Sequence, residues 1–167
     1  MNEKAEKILL GYGVITVGET PLGLTRGGGS FTVEREYREI EADGDRGPVK
    51  GRIEIDREVA KLTVNALEMF NAVDMQKYYP GISVTENVAT GTLKIAEGDY
   101  NNVKWEGKTK GGKPVTIEVD NAINMENLEW TLEDKNEVVP TLGFTGTYKE
   151  EERNTPPWRV EFGAIEA

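Results

Sequence analysis

The residues best suited to chemistry in this chain are carboxylates set two apart on extended stretches, Glu34 with Glu36 and Glu54 with Asp56. Residues i and i+2 of a strand share a face, so either pair has the arrangement of a general acid beside a base or nucleophile acting on a glycosidic bond. That chemistry needs one carboxyl desolvated in a groove lined with aromatic platforms. Here the acids alternate with Arg35, Arg38, Arg52 and Arg57, the pattern of solvated charge. With no histidine and no cysteine, serine triads, zincins and thiolate nucleophiles are excluded, and no enzymatic activity is expected.

Two further motifs fail on their own chemistry. Asp43, Asp45 and Glu54 match the first, third and twelfth positions of a calcium loop, but Gly47 lacks the third ligand, Pro48 replaces the turn glycine, and strand alternation follows where a helix should. The run Gly23-Leu24-Thr25-Arg26-Gly27-Gly28-Gly29-Ser30 has phosphate-loop spacing, yet Gly29 stands where a lysine must neutralise phosphate. Neither a metal nor a cofactor is expected.

The elements that carry these charges are strands. In Ser30 to Ile40, Phe31, Val33 and Tyr37 share one face while Thr32, Glu34, Glu36 and Arg38 share the other. In Arg52 to Ala66, Ile53, Ile55 and Val59 oppose Arg52, Glu54, Asp56 and Glu58. The apolar phase then moves to Ala60, Leu62, Val64 and Ala66, which predicts a bulge near Val59 and Ala60. Each strand is expected to have one core face and one wet face. Glu41-Ala42-Asp43-Gly44-Asp45-Arg46-Gly47-Pro48 is the turn between them.

Elsewhere Ile8 to Val17 reads as a first strand, with a tight return through Gly18 to Gly23 and a break at Gly27-Gly28-Gly29. Asn65 to Tyr79 reads as a helix, because Leu67, Phe70, Val73 and Lys77 recur at spacings of three and four and Pro80-Gly81 stops it, its first residues being shared with the preceding strand. Strands are predicted over Gly91 to Ala96, Asn102 to Thr109, Lys113 to Asp120, Asn127 to Glu133, Gly143 to Lys149 and Trp158 to Phe162. The fold class is mainly β: an antiparallel sandwich or barrel with one peripheral helix, in a single domain spanning 1–167.

Thirty acidic residues against twenty basic ones give a net charge of -10, which repels phosphate and opposes tight nucleic-acid binding. The absence of cysteine fits synthesis in a reducing cytoplasm. Ile8 to Val17 is too short and glycine-rich for a signal core or a membrane span, so a soluble chain is expected.

Taken in order, Leu9-Leu10-Gly11-Tyr12-Gly13, Gly23-Leu24-Thr25-Arg26-Gly27-Gly28, Val33-Glu34-Arg35-Glu36-Tyr37, Asp43-Gly44-Asp45-Arg46-Gly47-Pro48-Val49 and Leu62-Thr63-Val64-Asn65-Ala66-Leu67-Glu68 resemble a tail tube protein of tailed bacteriophages and related prophage elements. The likeness is strongest over Ile8 to Met69 and weaker at Ala122 to Leu128 and Gly143 to Tyr148. It implies homo-hexameric rings that stack into a hollow tube, with an inner sheet continuing across subunits and the helix outside. The implied partners are further copies of the chain, a tape measure, a distal tail or baseplate protein and a terminator, with DNA only as passing cargo. The implied place is a virion tail.

Under that resemblance Glu34, Glu36, Glu54, Asp56 and Glu58 are expected to line an acidic bore, along which phosphates slide without sticking. Alternation fixes which residues share a face and not where the face looks; the other placement is an outer or subunit-facing surface with the acids paired to neighbouring arginines. Arg52, Arg57 and Lys61 are expected to bridge to acids of the next subunit. Residues 37–51 are expected to form an extended inter-subunit or inter-ring loop carrying Asp43, Asp45, Arg46, Gly47, Pro48, Val49 and Lys50, mobile in a free monomer. The alternative function is a soluble β-sandwich binding module for carbohydrate or protein, using Tyr100, Trp105, Trp130 and Trp158.

Overall fold

The computed structural model describes residues 6–68 and 71–163. Strands β1 (Leu9–Val17), β2 (Thr20–Pro21), β3 (Thr25–Glu39) and β4 (Ile53–Ala66) are followed by helix α1 (Ala72–Tyr78) and the hairpin β5 (Ile82–Thr85) and β6 (Val88–Gly91). Then come β7 (Asn101–Thr109), β8 (Pro114–Asn124), β9 (Thr141–Thr145) and β10 (Trp158–Phe162). All pairings are antiparallel, and the main sheet runs β2-β1-β7-β8-β9-β4-β3 with β10 also on β8. The expected mainly-β antiparallel class holds.

Strand β8 is the hinge of the arrangement. Its Val115–Val119 stretch pairs with β7 on one edge and β10 on the other, whereas Ile123 and Asn124 pair with β9. Inward side chains from both groups of strands, among them Val17, Val64, Val103, Val119, Leu142 and Phe144, form one buried cluster, with Trp105 and Trp158 packed against it. Trp158 meets Phe31 at 5.9 Å between ring centroids, a tilted aromatic contact. Both tryptophans thus act as anchors of the core rather than as an exposed platform.

Asn124 is buried and joins the helix to the sheet. Its Nδ2 donates to the Tyr78 carbonyl at 2.8 Å, and its Oδ1 accepts from the Gly143 and Glu126 amides at 3.2 and 3.0 Å. The helix is shorter than the Asn65 to Tyr79 pattern predicts. Asn65 and Ala66 stay in β4, where they pair with Thr141 and Thr25, and the Asn71 side chain caps the first turn by accepting from the Asp74 amide at 2.8 Å. Phe70, part of that pattern, lies outside the described residues. No described helix is long and apolar enough to cross a membrane.

Three other expectations are corrected. Gly27-Gly28-Gly29 does not break the chain: β3 begins at Thr25, and a register shift between Thr25 and Gly29 absorbs the glycines. A Cβ at Gly29 would lie 2.4 Å from the Thr63 carbonyl oxygen, so close strand approach requires glycine there. Asn127 to Glu133 alternates but is no strand, because the β8 edge just before it is already taken by β9, and Leu128 and Leu132 are left exposed. Gly91 to Ala96 is largely irregular, its strand lying earlier as β6.

Replacing fully buried Leu142 by Ala is expected to cost about 2–5 kcal/mol of stability. Asn124→Ala, which removes the bonds to the Tyr78 carbonyl and to the Gly143 and Glu126 amides, is expected to cost about 1–3 kcal/mol. Urea unfolding followed by tryptophan fluorescence measures both, and an unchanged midpoint for Asn124→Ala would show that its bonds do not tie the helix to the sheet.

Candidate functional site

The β3–β4 ribbon outruns the body that it belongs to. On the side away from β3, β4 pairs with β9 from Lys61 to Asn65, and the Gly146 amide reaches the Ala60 carbonyl at 2.9 Å. Beyond that point, among the described residues, Glu34–Glu39 and Ile53–Val59 pair only with each other, and the hairpin projects as an arm. Tyr37 and Ile55, expected in the core, are 62% and 52% exposed, and Ile53 is exposed as well. The expected core face therefore stops at Phe31 and Val33, and past it both faces of the ribbon meet water.

The bulge expected near Val59 and Ala60 lies at Asp56. Glu36 pairs with Arg57 and Tyr37 with Ile55, so Asp56 is the extra residue. This displacement changes which acids share a face. Directly paired residues point the same way, so Glu34, Glu36 and Arg38 lie with Val59, Arg57 and Glu54 on one side. Asp56 joins them by reaching Arg38 Nε at 3.4 Å. Glu58 pairs with Arg35 and falls on the opposite side, in line with Val33 and Ala60. Its side chain is only 11% exposed, which corrects the expectation that it shares a face with Glu54 and Asp56.

Arginines answer most of these acids. Arg35 Nε donates to Glu58 Oε1 at 2.7 Å and Arg38 Nη2 to Glu54 Oε2 at 2.5 Å, while Arg57 approaches Glu36 at 4.0 Å. The bonds to Glu58 and Glu54 hold the Arg35 and Arg38 guanidiniums above their ordinary pKa. The Tyr148 hydroxyl donates to the Glu58 carbonyl at 2.8 Å and fixes the base of the arm to the loop after β9. Of the three cations expected to bridge subunits, each has a carboxylate within its own chain: Arg52 meets Asp45 at 2.8 Å, Arg57 meets Glu36, and Lys61 meets Glu126.

The turn at the tip is tied by Asp45. Its Oδ2 accepts from the Ala42 amide at 2.9 Å and from Arg52, while the Arg52 amide donates to the Val49 carbonyl at 3.1 Å. Asp43, Arg46, Gly47, Pro48 and Lys50 are exposed around it, with Val49 at its edge. The calcium-like spacing is thus occupied at Asp45 by an internal guanidinium. The glycine run of the phosphate-like spacing opens a strand, which supplies no helix N-terminus to an anion.

Two concavities adjoin the ribbon. One of about 710 Å³ lies at the root of the arm, between Ile55–Val59 and the loop holding Tyr148, Arg153 and Pro156. The other, about 620 Å³, separates the unpaired outer edges of β1 and β3. Sequence reasoning missed the β1 side of that groove. Leu9, Leu10 and Tyr12 are all exposed there, and the available signal was an uncharged strand with apolar residues in both phases.

No protein-family model and no curated protein matches the sequence. In three dimensions the chain is similar to the anti-feeding prophage cap, the cap that terminates the tube of that particle, known from cryo-electron microscopy. The TM-score is 0.53 and the identity 12%, over 98% of this chain and all of that one. At such low identity the likeness is one of fold.

Proposed function

We propose that this chain is a structural subunit of a phage-tail-like tube, its residues 1–167 forming one tail-tube domain. Homo-hexameric rings stack into a hollow tube, the inner sheet continues from subunit to subunit, and residues 37–51 reach across to a neighbouring subunit or ring. The observation that carries this reading is the arm, a ribbon with water on both faces whose exposed apolar residues and open strand edges lack partners within the described residues. The fold shared with a tube-terminating cap supports it.

Assembly answers the edge hazard, because a ring satisfies backbone groups that a monomer leaves open. In this reading Glu34, Glu36, Glu54 and Asp56 line the bore and Glu58 closes the core beneath it. Arg38 and Arg57 share their face, so the wall is weakly negative, enough to keep phosphate from binding without repelling it strongly. Arg57, with the loosest intrachain contact, is the cation best placed to exchange its partner for an acid of the next subunit. Tape measure, baseplate and terminator proteins would meet the tube at its interior and ends. DNA is cargo, and the residues named act by position and charge, with no catalytic role.

Negative-stain microscopy of concentrated purified protein is expected to show rings or tubes; strictly monomeric particles at every concentration would overturn the reading. Joining Arg35 to Glu58 by a two-residue Asn-Gly turn removes the exposed length of the arm, residues 36–57, and keeps the pair that caps the buried cluster. That variant is expected to keep its unfolding midpoint and to lose all rings. The triple variant Glu34→Lys, Glu36→Lys, Glu54→Lys is expected to assemble yet slow DNA release from reconstituted particles by at least about tenfold at low salt, with recovery as salt rises. Release at the unmodified rate would refute the acidic bore.

A further inference from the structure

Resting on that reading, we infer that the arm of one copy seats in the groove between β1 and β3 of a second copy, with the exposed edge of β1 as its receptor. The receptor has three features that ask for an extended ribbon. The outer edges of β1, from Leu9 to Val14, and of β3 are both unpaired and face the same groove. Tyr12 on β1 is 83% exposed, and its neighbours Leu9 and Leu10 are exposed too. The rim is glycine: a Cβ at Gly11 or Gly28 would meet only open space, so an incoming backbone can approach closely.

The arm supplies what the groove lacks. Tyr37, Ile55 and Ile53 form an exposed apolar stripe on one face, and the outer edges of Glu34–Glu39 and Ile53–Val59 are open. Charge matches as well. Lys108 and Lys110 flank the start of β1, where Leu9 pairs with Thr109, and Lys7 precedes it. Among the described residues none of these three lysines is ion-paired, and neither are Glu39, Glu41 and Asp43 of the arm.

The arm cannot reach its own groove. Its root is the same β3 whose proximal part, Thr25 to Phe31, lines that groove, and from Val33 to Ile40 the ribbon runs roughly 20 Å onward at strand rise. A donor surface and its receptor that differ within one chain make a head-to-tail contact, which closes into a ring when the rotation allows.

The absence of cysteine makes a direct test possible. Under mild oxidation the double variant Tyr12→Cys, Ile55→Cys is expected to give a denaturing-gel ladder extending past the dimer, while each single variant gives no ladder. Tyr12→Asp is expected to keep the unfolding midpoint, since the side chain is exposed, and to raise the concentration needed for rings at least tenfold. Leu132→Asp, also exposed but remote from the groove, should leave assembly unchanged. Rings that form normally with Tyr12→Asp and never cross-link would overturn this docking and leave the tube reading standing. An unmodified chain that never forms rings would remove both.

Discussion

A two-stranded ribbon has no interior, and the structure is organised around that fact. Strand β4 is a core element from Ala60 to Ala66 and an exposed one from Ile53 to Arg57, beyond the point where β9 ends. A hairpin in water is marginally stable by itself, so the arm depends on the body at its root and on cross-strand contacts along its length. Arg35 with Glu58, Arg38 with Glu54 and Asp56, and Arg57 with Glu36 form a ladder from the last core pair outward. Pairs so exposed add little net stability, but a one-residue slip would bring like charges face to face, so they hold the register.

Position along the ladder separates two roles for chemically similar residues. Arg35 and Glu58 continue the row of Phe31, Val33, Leu62 and Ala60, so their pair caps the core, and Tyr148 secures the strand carrying Glu58. The next pair on the same side is Tyr37 with Ile55, and nothing within the described residues lies over it. Apolar side chains past a polar cap cannot belong to the core that the cap closes. In the proposed tube they are the surface that a neighbouring copy covers, and the same logic separates Glu58 from the acids on the far face.

Much of this was legible in the sequence, and the errors have physical causes. Strand patterning located β4 and β10 closely, whereas β3 begins at Thr25 and β8 runs on to Asn124, past the expected Ser30 and Asp120; the phase change before Ala60 signalled a bulge. Its position was not legible, because alternation records only that a phase has changed; the pairing partner decides where the extra residue sits, and here Asp56 loops out opposite Glu36 and Tyr37. The same gap explains Asn127 to Glu133, where alternation without a free edge yields no strand. Tyr37, Ile53 and Ile55 were assigned to a core because apolar alternation looks the same over a core and over an exposed face. The helix began late because pairing with β9 at Asn65 and with β3 at Ala66 extended β4.

The apolar character of β1 follows from the same ambiguity and carries it one step further. A soluble edge strand ordinarily protects itself with charge, proline or a covering element, and β1 has none of these from Leu9 to Val14. In the proposed assembly its protection comes from concentration-dependent contact, which couples the stability of that edge to assembly. Under that coupling a free subunit carries an aggregation hazard and an assembled one does not. Gly11 then has a second consequence: a Cβ there would meet only open space, so in the proposed contact it leaves room for an incoming backbone, whereas the space beside Gly13 is already filled by the Trp105 ring and the Glu106 carbonyl of the same chain.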